Sequence, residues 1–128
     1  MAKNRILRGN LYYADLNPVK GSEQGGIRPV LIIQNDLGNY FGSTVIMAPI
    51  STKKAKLPTH VEISPTEKIK KNSIILLEQS RVIDKARLKQ FLGKLSSEKM
   101  KEVNYAILIE FGITRKKEEN FEKIFSNS

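Results

Sequence analysis

The sequence predicts a single, mainly β domain that ends in one helix. Short apolar, β-branched runs separated by turn residues fill the chain from residue 11 to residue 84, as in a small antiparallel barrel or sandwich. Near residue 96 the apolar period changes from two residues to the helical spacing. A chain of 128 residues has room for one modest core.

The predicted strands are bounded by turn-forming residues. They run over residues 11–16, 28–34, 44–48, 60–63 and 73–79, and residues 81–84 extend or re-pair the last of them. Asn17-Pro18, Asn35-Asp36 and Gly38-Asn39 are turn signals between the first three strands. The loop before the second strand contains Gly21, Gly25 and Gly26.

The helix is predicted to start at Ser96, a hydroxyl cap followed by Glu98, and to stop at Gly112. Its apolar stripe contains Met100, Val103, Ile107 and Phe111, widened by Ala106, Leu108 and Ile109. A stripe this broad is expected to pack against the barrel or to be shared with a second subunit. Residues 114–128 are polar and are interpreted as a loosely held tail or a short extra helix.

The excess of positive charge limits the classes of partner that the protein is expected to bind. Lys and Arg number 22 against 13 Asp and Glu, which gives a net charge of +9. This charge serves solubility alone or attracts a polyanion, whether nucleic acid, an anionic membrane or an acidic protein. No apolar run is long enough to span a bilayer, and no signal peptide is recognised. Without cysteines there are no disulfides or thiolate zinc sites, and a reducing cytoplasm is permitted.

Most catalytic chemistries lack their residues here. His60 is the only histidine, so ribonucleases that use two histidines are excluded by count. No HExxH motif, close acidic cluster or GxSxG motif is present, and the glycine loop lacks the ending of a P-loop. The sequence therefore predicts neither a metal site nor a cofactor.

A cation-and-hydroxyl site remains. Arg28 follows the glycine loop and could hold a phosphate through two parallel N–H donors, or it could pair with Glu23 and pin the loop. The hydroxyls of Ser51 and Thr52 lie at the end of the third strand, where they could act on a ligand or cap a turn. The polar pair Glu78-Gln79 ends another apolar strand and could face a ligand.

Three blocks resemble the MazF/PemK family of toxin endoribonucleases, in its MazF branch of Gram-positive bacteria. They are RGNLYYADLNPVKGSEQGGIRPVLIIQND at 8–36, KLPTHVEI at 56–63 and SIILLEQSRVIDKARL at 73–88. The resemblance covers residues 8 to 113, so 1–113 is interpreted as one toxin domain and 114–128 as a tail. It implies an SH3-like small β-barrel with a terminal helix, which forms a homodimer.

The resemblance also implies a function. The family cuts single-stranded mRNA at short sequences without a metal ion, leaving a 2′,3′-cyclic phosphate and a 5′-hydroxyl. A MazE-like antitoxin with an acidic, disordered segment covers the RNA groove, and both partners are cytoplasmic. The branch likeness suggests a recognition sequence similar to UACAU.

Site residues carry over by position. The catalytic pair is Arg28 with Ser51, or with Thr52 if the alignment gap moves by one. The positions that line the RNA groove are Glu23, Gln24, Lys56, Leu57, Pro58, His60, Glu78 and Gln79. The acid–base scheme of the Kid-like branch does not carry over, because its positions read Ser22, Leu76 and Glu78 here.

Two rival functions stay open at the level of sequence. CcdB-like gyrase poisons share the fold, but their helix ends in Trp-Gly-Ile at the terminus, whereas here Phe111-Gly112-Ile113 is followed by 15 further residues and no tryptophan exists. An RNA-binding module that has lost catalysis is the other rival. The RNA surface is expected to be the most positive one, with lysines 53, 54, 56, 68, 70 and 71.

Overall fold

A computed structural model of the chain describes residues 5–53, 57–66 and 68–115. Its elements are β1 (Asn10–Asp15), β2 (Ile27–Ile32), α1 (Asp36–Phe41), β3 (Thr44–Ser51), β4 (His60–Ile63), β5 (Ser73–Leu76), β6 (Arg81–Asp84), β7 (Leu88–Lys94) and α2 (Ser97–Glu110). Short 3-10 turns occupy Leu77–Gln79 and Lys85–Arg87. The predicted fold class, mainly β with a C-terminal helix, is confirmed.

The strands form one antiparallel sheet in the order β4-β5-β3-β2-β1-β7, with β6 also paired to β3. The long strand β3 organises it. Along one edge β3 pairs with β2 from Met47 to Pro49, and along the other it pairs first with β6 and then, at Ile50 and Ser51, with β5. In the described residues the end strands β4 and β7 do not pair, so the predicted barrel is not closed.

Alternation along the strands builds two apolar clusters. Leu31 of β2 belongs to the larger cluster, which α2 covers with Val103 and Ala106. Val30 and Ile32 point to the opposite face, into a smaller cluster. The side chain two residues before Val30, that of Arg28, therefore shares the face of the smaller cluster.

Three local predictions need correction. Residues 36–41 form a short helix rather than a turn, because the Asn35 side chain accepts a hydrogen bond from the backbone N–H of Gly38 (2.8 Å) and caps the helix. The predicted strand 73–79 ends at Leu76, where a 3-10 turn begins. Strand β7 was missed because its burial does not alternate regularly; it pairs with β1 through shifts in register.

The predicted start and stop of the terminal helix are confirmed. The Ser96 hydroxyl accepts a hydrogen bond from the Lys99 N–H (3.1 Å), and Gly112 has a φ of 74° just after the helix. Met100 and Ile107 lean on the core beside the fully buried Val103. Phe111 lies beyond the last turn and is 66% exposed, so it does not pack on the sheet, and its contact with a second subunit stays a prediction.

Apolar side chains remain exposed on both helices and after α2: Leu37, Tyr40, Phe41, Tyr105, Leu108, Phe111 and Ile113. Neither helix in the described part of the chain is long and apolar enough to cross a membrane. The predicted tail lies outside the described residues except for Thr114 and Arg115.

Candidate active site

Arg28 lies near the start of β2, half-buried, with its guanidinium held by backbone oxygens. Its Nε donates to the carbonyl of Gly25 (2.9 Å), and an Nη donates to the carbonyl of Ile50 (3.4 Å). Within the described residues these carbonyls, rather than Glu23, are its partners. A neutral carbonyl orients the guanidinium without cancelling its charge, so Arg28 retains a full positive charge for an anion.

Ser51 ends β3, next to a residue that Arg28 contacts. The pairing of β2 with β3 ends at Val30 and Pro49, and the Arg28 guanidinium reaches the carbonyl of Ile50, the residue before Ser51 (3.4 Å). The Ser51 side chain is buried, and its Oγ accepts a hydrogen bond from the Lys53 N–H (3.2 Å). The hydroxyl thus has the turn-capping role, yet its own proton is available to donate. Thr52, the next residue, is exposed.

The loop from residue 16 to residue 26 is closed at its base. The Leu16 N–H donates to the Gly26 carbonyl (2.9 Å), and the Asn17 side chain accepts from the Gly26 N–H (3.0 Å). Gly26 has a φ of 77°, a region that favours glycine. A side chain at Gly25 would lie 2.7 Å from Val19, so glycine is needed there for a steric reason.

Two arginines, one from β6 and one from the turn before β7, fix the same loop base. An Nη of Arg81 donates to the Leu16 carbonyl (3.2 Å), and an Nη of Arg87 donates to the carbonyls of Asp15 (3.0 Å) and Asn17. The start of the glycine loop is therefore tied to β6 and to the turn before β7. This anchoring keeps Gly25, and with it the Arg28 guanidinium, in place.

A cavity of about 220 Å³ brings together four residues that the sequence analysis had placed in the RNA groove. Glu23 and Gln24 come from the glycine loop, and Glu78 and Gln79 from the 3-10 turn after β5. Pro49, Ser80 and Arg81 complete its lining. These side chains are distant in sequence and offer carboxylates, amides and one guanidinium to a ligand.

The Glu78 carboxylate is fixed by two neighbours. Thr59 Oγ1 donates to Oε1 (2.9 Å), and His60 Nε2 lies 2.9 Å from Oε2. The Leu57 N–H donates to His60 Nδ1 (3.0 Å), so Nδ1 is an acceptor and Nε2 carries the proton. In this tautomer His60 is neutral and holds the carboxylate without neutralising it.

Glu110, at the end of α2, lies near Glu78. Partial burial, and then the negative charge of Glu78, raise the pKa of Glu110 above its ordinary value. This shift favours the protonated form of Glu110.

The remaining predicted groove residues precede β4. Leu57 and Pro58 are exposed in the turn that leads to His60, and they do not line the cavity. The side chain of His60 is only 6% exposed, so His60 acts through Glu78 rather than as an open surface group. Lys56 and Lys54 lie outside the described residues. In the described chain no group of three acidic or histidine side chains could hold a metal ion.

Sequence reasoning missed Thr59, Arg81, Arg87 and Glu110. A signal existed for Arg81, because it starts a strand just after a polar turn, much as Arg28 does. The electrostatic effect of Glu78 on Glu110 depends on how α2 packs on the sheet, and no pattern in the sequence reveals it.

A family model described as "PemK-like, MazF-like toxin of type II toxin-antitoxin system" matches residues 7–111. The chain belongs to this family. A curated relative, endoribonuclease MazF of Staphylococcus saprophyticus subsp. saprophyticus, is 61% identical over 109 residues, which cover 83% of this chain and 91% of the relative.

Solved structures of this family share the fold. MazF from Deinococcus radiodurans superposes with a TM-score of 0.75 at 22% identity, covering 86% of this chain and 99% of that one. A mycobacterial endoribonuclease in complex with its cognate antitoxin gives 0.74 at 23% identity, with 87% and 99% covered. At these identities the likeness concerns the fold alone.

Proposed function

We propose that this chain is the toxin of a type II toxin–antitoxin system, an endoribonuclease that cleaves single-stranded mRNA at a short sequence without a metal ion. Residues 1–113 form the toxin domain. The observation that carries the proposal is the Arg28 guanidinium, which in the described part of the chain is held by the carbonyls of Gly25 and Ile50, the latter next to Ser51, within a chain 61% identical to an endoribonuclease MazF.

The reaction is transesterification followed by release. The 2′-oxygen of the RNA attacks the adjacent phosphorus, an O2′–P bond forms, and the P–O5′ bond breaks. The 2′-hydroxyl loses its proton and the departing 5′-oxygen gains one, so the products are a 2′,3′-cyclic phosphate and a 5′-hydroxyl. The protein supplies no nucleophile, and its task is to align the attack and stabilise charge on the phosphate.

Arg28 is the group that stabilises this charge. Its planar donors match two phosphate oxygens, and its contacts to the carbonyls of Gly25 and Ile50 aim it without neutralising it. The Ser51 hydroxyl donates a hydrogen bond to the same phosphate. The hydrogen bond that it accepts from the Lys53 N–H orients it for this. Thr52 is the alternative hydroxyl, exposed one residue further on.

The cavity beside this pair reads the bases. Glu78 and Glu23 accept hydrogen bonds from base amino groups, while Gln24 and Gln79 both donate and accept. A rigidly held carboxylate discriminates best between bases. The contacts from Thr59 and His60 hold the Glu78 carboxylate rigid. Leu57, Pro58 and Lys56 extend the groove toward β4, and a UACAU-like pentanucleotide is the expected target.

The proposed assembly is a homodimer that an acidic antitoxin segment silences in the cytoplasm. The exposed apolar residues of α1 and α2 support a protein interface, since patches of this kind mark association sites. A net charge of +9 supports polyanionic partners, both RNA and an acidic peptide. The antitoxin segment would lie in the groove and displace RNA.

The experiment is incubation of the purified protein with a long RNA in EDTA, followed by mapping of the cut sites and chemical analysis of the ends. We expect cleavage at a recurring short sequence, with cyclic phosphate and 5′-hydroxyl ends. RNA binding without cleavage would instead indicate a non-catalytic RNA-binding module. Stalling of DNA gyrase in a separate assay with Mg²⁺, without RNA cleavage in EDTA, would indicate a CcdB-like poison. Either outcome would overturn the proposal.

A further inference from the structure

A second and larger cavity lies at the opposite end of β5 from Glu78. It measures about 520 Å³ and is open to solvent. Its lining comes from the end of β3, the facing strands β4 and β5, and the first turn of α2: Thr52, Lys53, Glu62, Ile63, Ser64, Asn72, Ser73, Ile74 and Lys99. Thr52 and Lys53 follow the end of β3 in the site described above, and the other lining residues have no role in that site.

The register of the sheet connects this cavity with the proposed catalytic pair. Ser51 pairs with Ile74 of β5, and Ile74 pairs with Glu62 of β4. Ser51, Ile74 and Glu62 thus form one row across three strands, and the last two line the cavity. Neighbouring strands are about 4.8 Å apart, so Glu62 lies about 10 Å from Ser51, a distance that a short single-stranded segment spans.

The lining has the chemistry of a nucleotide site. Lys53 and Lys99 offer ammonium groups for a phosphate, and Asn72 offers an amide for a base edge. Lys99 also forms an ion pair with Glu102 (3.1 Å), but the Glu102 side chain is 56% exposed, and pairs of this kind hold a lysine weakly. The exposed Lys68, Lys70 and Lys71 precede β5 and add positive charge to the same end of the sheet.

We propose that this cavity is a second RNA subsite, which holds nucleotides flanking the cleaved bond, with Lys99 contacting a phosphate. The inference rests on the proposed endoribonuclease function and adds a binding site to it. RNA suits the cavity because the row of paired residues that contains Ser51 leads into it, so nucleotides next to the cleaved bond would reach Lys53 and Lys99.

The test compares RNAs of different length. A core oligonucleotide contains only the recognition sequence, and two longer ones add about four nucleotides at the 5′ or the 3′ side. Each is also made with a 2′-deoxy nucleotide at the attacking position, so that binding is measured by anisotropy without cleavage. We expect one extension to tighten binding by wild-type protein. Lys99→Gln should reduce the gain in affinity by about three- to fivefold. It should also reduce the slope of log affinity against log salt concentration by about 0.7.

Lys101→Gln is the matched control, because it removes the same charge from an exposed position on the same helix that does not line the cavity. It should leave the gain from extension intact, while Asn72→Ala should reduce the gain as Lys99→Gln does. Binding and cleavage of the core should be unchanged in all three variants.

The subsite is refuted if neither extension tightens binding, or if Lys99→Gln behaves as Lys101→Gln does. It is also refuted if the effect of Lys99→Gln is confined to binding of a glutamate-rich peptide. Failure of the wild type to cleave the core refutes the proposed function instead, and the affinities for the 2′-deoxy RNAs distinguish the two failures.

Discussion

The proposed site contains two opposite charges, those of Arg28 and Glu78, and different kinds of neighbour hold them in place. Arg28 is held by the backbone carbonyls of Gly25 and Ile50, whereas Glu78 is held by side chains, the hydroxyl of Thr59 and the imidazole of His60. Among the described residues, the groups that hydrogen-bond to Arg28 and to Glu78 are neutral. They orient the two charged groups, which we propose act on phosphate and on base edges.

The two arrangements differ in which substitutions they tolerate. Backbone carbonyls are present whatever the sequence, so the position of Arg28 depends on the glycine loop and on the arginines that anchor it. The position of Glu78 depends on two specific side chains. Substitutions at the Arg28 end should abolish the reaction, and substitutions at the Glu78 end should alter which RNA is bound.

The largest effect is expected for Arg28→Ala. Loss of a charged donor to the transition state should lower kcat by at least about 100-fold, because no neighbouring cation in β2 replaces it. Arg28→Lys, which keeps the charge but loses the forked donors, should retain more activity than alanine. Activity is measured on an RNA with one site, with thermal melting as the folding control. A folded Arg28→Ala protein that cleaves at the normal rate would refute the mechanism.

The next effect separates the hydroxyls. Ser51→Ala should lower kcat by about 10-fold or more, since it removes a hydrogen bond to a charged phosphate. Thr52→Ala should be close to wild type if the pairing of Arg28 with Ser51 is the catalytic one. The reverse ranking would assign the role to Thr52, and wild-type rates for both would eliminate the hydroxyl from the mechanism.

A smaller effect is expected at the Glu78 end. Thr59→Val keeps the side-chain shape but removes the donor to Glu78, so KM should rise about fivefold with little change in kcat, and base preference should relax. In a Glu78→Gln background the same substitution should have a weaker effect, as a double-mutant cycle would measure. Additive effects would show that Thr59 does not act through Glu78.

The smallest effect concerns stability. Because burial and Glu78 raise the pKa of Glu110, the folded protein binds this proton more tightly than the unfolded chain does. The associated stability is complete at acidic pH, below the ordinary pKa of a glutamate, and is lost as pH rises through the raised value. Glu110→Gln should therefore raise Tm at neutral pH, and the gain in the free energy of unfolding should be less than about 1 kcal/mol. In acid this gain should vanish.

Glu102→Gln is the control for that prediction, because it removes an exposed carboxylate of the same helix that pairs with Lys99. It should not increase Tm at neutral pH. An equal increase for both variants would indicate a general charge effect and would remove Glu78 from the explanation.

Local patterns in the sequence predict several features that depend only on neighbouring residues. The caps at Ser96 and Gly112 and the strands up to Ser51 follow from neighbouring residues, and all were predicted. Asn35 shows the limit of such patterns, because the same side chain starts a turn or caps a helix. Phe111 shows another, since helical spacing alone does not distinguish packing on the sheet from contact with a second subunit.

The sequence by itself determined the family, the fold class and the candidate residues Arg28, Ser51, Glu78 and Gln79. Only the tertiary structure decided how they are held: the carbonyls that aim Arg28, the tautomer of His60, and the approach of Glu110 to Glu78. The reason is physical. Motifs record which residues a site needs, whereas hydrogen-bond partners and electrostatic neighbours depend on register and packing between segments far apart in the chain.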